Sequence, residues 1–253
     1  MVENTLFTYY EEFKMYQLES KVRYSEVNSD RVLKLAALTD YLQDCCTFQT
    51  EEMGVGMDYL KDFHGGWVLS SWEIVIKELP KLSDVIRVGT FPYDFKGFYG
   101  LRNFCVENEA SERIAFANSV WVYMNTETMR PDRVPESVLA AYHEKEEEPI
   151  SFEWSDRKIK VEGEGVAVKP VEVSHYFIDT NHHMNNGKYI MVAEGCLPEG
   201  FVVGRIRAEY KKAALLGDNL YPIVYREDNL VTVELADEAK KPYAIVQFIR
   251  NCQ

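Results

Sequence analysis

Asp179, Asn181 and His183 stand at alternate positions of the segment DTNHHMNNGKY. A carboxylate, a carboxamide and an imidazole so close together can supply what attack on an acyl carbonyl requires. Asp179 can act as base or, less conventionally, as nucleophile; Asn181 can position water or the carbonyl; His183 can move a proton near neutral pH. Peptide N–H groups at the start of the helix that follows would suit a developing oxyanion. The competing reading of the segment is a helix start capped by asparagine. That reading accounts for Asn185 and Asn186, which shape the helix start, and does not account for the trio.

Other routes to hydrolysis fail on motif grounds. The chain has no G-x-S-x-G elbow, no H-E-x-x-H zinc helix and no G-x-x-x-x-G-K-[ST] loop. His182 and His183 are adjacent and would point apart on a helix, so a metal site is not expected and His182 is read as structural. His64, His143 and His175 have no companions that suggest a site. The five cysteines, Cys45, Cys46, Cys105, Cys196 and Cys252, include no C-x-x-C pair, which argues against disulfides and zinc and for a reducing cytoplasm. The first residues, MVENTLFTYYEEFKMYQLES, carry no basic or apolar targeting pattern, and no run approaches the roughly 20 apolar residues of a spanning helix. A net charge of -13 disfavours nucleic acid as a ligand.

The elements that must position the trio follow from periodicity. Alternation around Leu18–Tyr24 predicts a strand, and Leu35, Leu38, Leu42, Cys45 and Phe48 recur at helical spacing within 30–53. Four β-rich runs, 67–76, 85–90, 101–106 and 114–124, separated by turn residues, predict an antiparallel meander around that helix. A charged, breaker-rich stretch at 141–165 reads as a solvated linker between units at 1–140 and 166–253. The second unit repeats the order: a strand at 171–177, a polar turn, a helix from about Asn186, then runs at 201–210, 219–225, 230–235 and 243–250. The fold class is therefore α+β with an internal duplication. Matching YSEVNSD to FIDTNHH sets Glu26, Asn28 and Asp30 against Asp179, Asn181 and His183, so only the second copy has the histidine.

These residues resemble a known family. DTNHHMNNGKYI is similar to the D-x-N-x-H-x-N-N-x-K-Y-I segment of acyl-acyl carrier protein thioesterases, the plant plastid enzymes and their shorter bacterial relatives. WVLSSWEIVIKELPKLSD, ANSVWVYMNTETMRPDRVP and AEYKKAALLGD look like further family segments in the family's order. The resemblance implies a tandem hot-dog fold, an acyl pocket shaped by the first repeat, and catalytic residues Asp179, Asn181 and His183 in the second. It implies a supporting role for Glu209, no cofactor, and hydrolysis of fatty acyl thioesters on acyl carrier protein. One departure matters: where the plant pattern has a cysteine after that acid, this chain has Ala213 and Ala214. Hydrolysis here must then proceed without a thiol nucleophile.

The partners so implied are acyl carrier protein and its acyl thioester, with a homodimer left open. Carrier protein is acidic, as the family implies, so basic residues must cluster locally for encounter. Lys188, Arg205, Arg207, Lys211 and Lys212 are the candidates, a solvated strand face being the equal alternative. Leu38, Leu42, Cys45, Trp72, Ile74 and Trp121 are candidates for an apolar slot, although ordinary core packing explains each of them. The alternatives are an acyl-CoA thioesterase, a hot-dog hydratase or dehydratase acting on enoyl thioesters, and a non-catalytic acyl-binding protein. The hydratase pattern wants Pro after the Asn, where this chain has His182.

Overall fold

The computed structural model describes residues 15–142 and 148–251. The N-terminal stretch read for targeting signals, most of the acidic run with His143, and Cys252 lie outside the described residues. In chain order the elements are β1 (Tyr16–Lys21), α1 (Leu35–Glu52), α2 (Met57–Asp62), β2 (Gly65–Ile76), β3 (Val85–Lys96), β4 (Tyr99–Asn108), β5 (Arg113–Asn125), β6 (Arg130–Pro131) and α3 (Glu136–Tyr142). There follow β7 (Val166–Ala167), β8 (Val171–Glu172), α4 (Asn186–Glu194), β9 (Val203–Tyr210), β10 (Asn219–Glu227), β11 (Leu230–Ala236) and β12 (Pro242–Arg250).

The strands form one sheet in the order β1-β3-β4-β5-β2-β9-β12-β11-β10-β7, with β6 on β5 and β8 on β10. The five strands of the first half recur in the second as β8, β9, β10, β11 and β12, and the halves meet where β2 pairs antiparallel with β9. Each half lays its helix over the sheet, the tandem hot-dog arrangement. Along α1 the residues Leu35, Leu38, Leu42 and Cys45 are buried, one helical stripe facing the sheet. On the inner face of the seam Trp72 lies opposite Ala208 and Ile74 opposite Ile206, all buried. The resulting apolar core runs continuously through both halves, and burying each such side chain contributes about 1.5–3 kcal/mol.

The duplication is visible in hydrogen bonds. Val22 N donates to Asp84 O (2.9 Å) as Val173 N does to Asp218 O (2.8 Å), and Leu33 N donates to Pro80 O as Met184 N does to Ala214 O, both 2.9 Å. The Asp84 and Asp218 carboxylates accept from the N–H three residues back, Lys81 (2.7 Å) and Leu215 (2.8 Å). Ser83 and Gly217 hold positive φ at matching places. The register of the polar turns differs from the one that residue identity suggests. Asn28 N bonds Val32 O (2.9 Å) and Asp179 N bonds His183 O (2.8 Å), while Arg31 and His182 share φ near +60° (64° and 61°). The counterparts of Asp179, Asn181 and His183 are therefore Asn28, Asp30 and Val32, two residues along from the match made on shared asparagines.

Within the segment between the halves, residues 150–159 form a strap, whereas 160–165 are largely exposed, as expected of a solvated linker. The strap runs over the outer face of the sheet, where Phe152 and Trp154 pack on Phe116 (ring centroids 5.1 and 5.8 Å). Ile159 is buried. Ile150 N donates to Asn103 Oδ1 (2.9 Å). Ser155 donates to both oxygens of Glu73 (2.9 and 3.0 Å), and Arg205 pairs with the same carboxylate. The Glu73 side chain is only 8% exposed. Glu73→Ala removes an acceptor and leaves Arg205 and Ser155 facing a dry seam. The expected loss is about 2–3 kcal/mol of unfolding free energy, read by urea denaturation; a loss within 0.5 kcal/mol, roughly the scatter of neutral surface substitutions, would show that the seam does not depend on this pair.

Candidate active site

Local chemistry explains the shape of the polar turn. Residues His175–Phe177 form a short 3-10 turn, which ends the strand expected at 171–177 after only two residues. The chain then doubles back: Ile178 bridges Met184, Asp179 N donates to His183 O, and His182 N donates to Asp179 O (3.0 Å). Asp179 Oδ1 accepts from Asn181 N (2.8 Å), the Asx geometry for which a short carboxylate is suited. Asp179, Asn181 and His183 are thereby gathered on one five-residue loop. Asp179 and His183 are half-buried and Asn181 is exposed. Among the described residues, no hydrogen bond joins the three side chains to one another.

The helix that follows is capped by Asn185, whose Oδ1 accepts from Gly187 N (2.8 Å). Asn185 N donates to Phe177 O (2.8 Å), which ties the cap to the start of the loop. The N–H of Asn186 has no acceptor among the described residues, so α4 presents an unpaired donor beside the trio. The Asn186 side chain donates to Gln43 Oε1 (3.0 Å), and its carbonyl accepts from the Tyr210 hydroxyl (3.0 Å). Tyr189 accepts from Ala214 N (2.8 Å). Burial pushes the Tyr189 phenol up to about 12, with Asp179 among the acids adding to the effect. Thr180 reaches Met57 Sδ, 3.8 Å away, so the first half also borders the loop. Gln43, Met57, Tyr189 and Tyr210 were not singled out from the sequence. Nothing local in the sequence marks any of the four.

Three other expected residues lie elsewhere. Ile206, Ala208 and Tyr210 face α4, and alternation along β9 sends Arg205, Arg207 and Glu209 to the opposite face, under the strap. Glu209, 7% exposed, accepts from Ile159 N (2.9 Å) and Lys211 Nζ (2.8 Å) and does not support the loop. Arg207 donates to Asp156 O (2.7 Å) and Gln247 Oε1 (2.8 Å), and Arg205 is held by Glu73 and by Ser155 Oγ (3.1 Å). Both guanidiniums are thus engaged on the strap face. Lys188 lies 3.4 Å from Asp40. Gly187 lies at this approach of α1 and α4, where an added Cβ would stand 2.8 Å from Asp40 Oδ1 and oblige that side chain to shift. Lys211 and Lys212 remain exposed at the end of β9.

A cleft of about 320 Å³ opens between the halves on the Asn185 side of α4. Glu26, Asp40, Tyr41, Asp44 and Lys188 line it with Asn185, and the trio does not. Its carboxylates make it unsuited to an alkyl chain. Burial, and then the Asp40 charge, push the Asp44 carboxyl above its usual value. Among the described residues no cluster of His, Cys, Asp and Glu has the makings of a metal site, and no helix is long and apolar enough to cross a membrane. Burial raises the thiols of Cys45, Cys46 and Cys105, that of Cys105 to about 11. None of them lies on the loop.

Comparison with known proteins agrees with the resemblance. The family described as the acyl-ACP thioesterase N-terminal domain matches residues 13–142, just over half of the chain. A chloroplastic palmitoyl-acyl carrier protein thioesterase of Gossypium hirsutum is 26% identical over 211 residues, 76% of this chain and 50% of its own length. An oleoyl-acyl carrier protein thioesterase of Arabidopsis thaliana is 24% identical over 206 residues, 74% of this chain and 56% of its own. The chain thus spans about half the length of these curated relatives. The fold is shared with an acyl-ACP thioesterase of Bacteroides thetaiotaomicron (TM-score 0.86, 23% identity, 94% of this chain and 98% of that one). It is shared too with the 12:0-ACP thioesterase of Umbellularia californica (TM-score 0.82, 16% identity, 96% and 99%). On the match across its first half, this chain belongs to the acyl-ACP thioesterase family.

Proposed function

We propose that the protein hydrolyses fatty acyl thioesters of acyl carrier protein to the free acid and the carrier thiol, in the cytoplasm. The observation that carries this reading, given the family, is the loop that gathers Asp179, Asn181 and His183 beside the unpaired N–H of Asn186. Water attacks the thioester carbon and gives up a proton to Asp179; in the other route Asp179 attacks, the thiolate leaves as the anhydride forms, and water then cleaves the anhydride, giving its proton to His183. In either route the carbonyl oxygen gains charge, and the Asn186 N–H at the positive end of α4 stabilises it. Asn181 orients the water or the carbonyl. The carbon–sulfur bond then breaks, and His183 protonates the leaving thiolate. No thiol is required, which suits a chain with Ala213 and Ala214 where plant relatives carry cysteine.

Docking is proposed at the end of β9. The loop that follows it holds α4 through Ala214, whose N–H meets Tyr189 and whose carbonyl meets Met184 N. Leu215 and Leu216 are half exposed on that loop, and Lys211 and Lys212 precede them. An acidic carrier would meet cations and an apolar patch beside the reacting centre. Lys211 and Lys212 are tied at present to Glu209 (2.8 Å) and Asp237 (3.5 Å), so binding would exchange these contacts for the carrier's acids.

Release of free thiol from matched acyl-carrier and acyl-CoA thioesters tests the activity. Asp179→Asn and His183→Ala should each lower turnover by at least about 100-fold in a protein that still folds; normal turnover in either variant refutes the site, and a preference for acyl-CoA refutes the carrier. Replacing Lys211 and Lys212 together by Gln should raise KM for carrier-bound substrate roughly threefold to tenfold while sparing a small soluble thioester. Equal changes for both substrates would remove the docking surface from this loop.

A further inference from the structure

We infer that the acyl group this chain accepts bears an oxygen, as a hydroxyl or oxo substituent, that takes the hydrogen bond of Trp72 Nε1. The inference rests on the proposed hydrolysis and names the class of its substrate. Trp72 stands on the inner face of β2 at the seam, 2% exposed, and its indole N–H is buried with no acceptor among the described residues. The neighbouring rings of Phe104 (centroids 4.9 Å) and Trp121 (6.5 Å) offer no oxygen or nitrogen acceptor. Trp121 shows what is missing, because its own Nε1 donates to Ser119 Oγ at 2.8 Å. Buried indole N–H groups ordinarily find such a partner, and leaving one unpaired is costly.

A second donor-rich group lies on the same inner wall. Arg102, 7% exposed, donates to Gln49 Oε1 and to Thr90 Oγ1 (3.1 Å) and lies 5.7 Å from the Tyr142 ring. No carboxylate pairs with it among the described residues. Arg102 has its acceptors, so the imbalance on this wall rests on Trp72 Nε1, a buried donor with no acceptor among the described residues. A plain alkyl chain would leave that imbalance untouched, and an oxygen-bearing chain would relieve it.

Register brings position 72 close to the start of α4. Trp72 pairs with Ala208 across the seam, and Tyr210, two residues further along β9, holds the first turn of α4 through Asn186 O. Two residues of strand cover about 7 Å, so position 72 lies on the part of the inner wall that adjoins the first turn of α4, with the ring leaning toward Phe104 and Trp121. A 3-hydroxy or 3-oxo group is the form to test first.

The experiment measures hydrolysis of carrier-linked saturated, 3-hydroxy and 3-oxo chains of equal length by wild type, Trp72→Phe, Trp72→Leu and Trp121→Phe. Binding of the matching amide-linked, non-hydrolysable chains is measured in parallel. Wild type should favour the oxygenated chain roughly tenfold in kcat/KM, both Trp72 variants should bring the ratio to about one, and Trp121→Phe should keep the preference. No preference in wild type, or a preference that survives both Trp72 variants, overturns the inference. If no thioester is cleaved, hydrolysis itself fails, and the amides decide the inference separately: preferential binding lost on changing Trp72 sustains it, and equal binding overturns it.

Discussion

The antiparallel pairing of β2 with β9 is the constraint on which the rest of the molecule depends. Glu73 lies opposite Arg207 at the middle of that pairing, and the duplicated halves are disposed about it. Joining the two short sheets there puts both helices on one face. They then run side by side and antiparallel, with Gln43 of α1 meeting Asn186 at the start of α4. Glu194 at the end of α4 meets the backbone of Leu35 at the start of α1. Each helix start is thus supported by the other half. The helix start bearing the candidate chemistry takes neutral Gln43, and the start without it takes an acid.

The duplicated turns show what divergence did to a shared backbone. Asn28 and Asp179 hold their loops by the same side-chain-to-backbone device, Asn28 Oδ1 accepting from Asp30 N and Val32 N at 3.0 Å each. An amide oxygen serves that structural purpose as well as a carboxylate does, so the first copy could lose its acid without losing its fold. Val32 in place of a histidine removes the proton shuttle. The inner wall of the first half carries the large side chains Trp72, Phe104 and Trp121, which pack on one another.

Much of this was legible in residue patterns because the governing forces are local. The stripe Leu35, Leu38, Leu42, Cys45 marks α1, although Phe48, expected as its fifth member, is exposed, and the alternating runs mark eight long strands to within a few residues at most ends, the far end of β3 (Lys96) being the longest miss. The loop trio was visible because a carboxylate, an amide and an imidazole rarely crowd one turn without cause. The short helices α2 and α3 carry too few residues for a period to emerge. Register between the copies was misread by two residues because shared asparagines were matched, whereas backbone hydrogen bonds define the turn. Arg205, Arg207 and Glu209 were legible as one strand face. What covers that face was not, because the strap is irregular backbone held by long-range contacts, signalled only by Phe152, Trp154 and Ile159 within a charged stretch.

The strap also bears on how the loop can work without a thiol. Hydrolysis by an aspartate and a histidine depends on placement, since neither group is an unusually strong nucleophile or acid. The loop gains its placement from Phe177, Ala214, Tyr189 and Tyr210, and the last two stand on α4 and on β9. Whatever fixes β9 therefore fixes the loop. Glu209 and Arg207, on the far side of that strand, bind the strap and bear on the loop only through β9. An acid at position 209 can in this way matter to a family that shares the fold while never facing the reacting atoms.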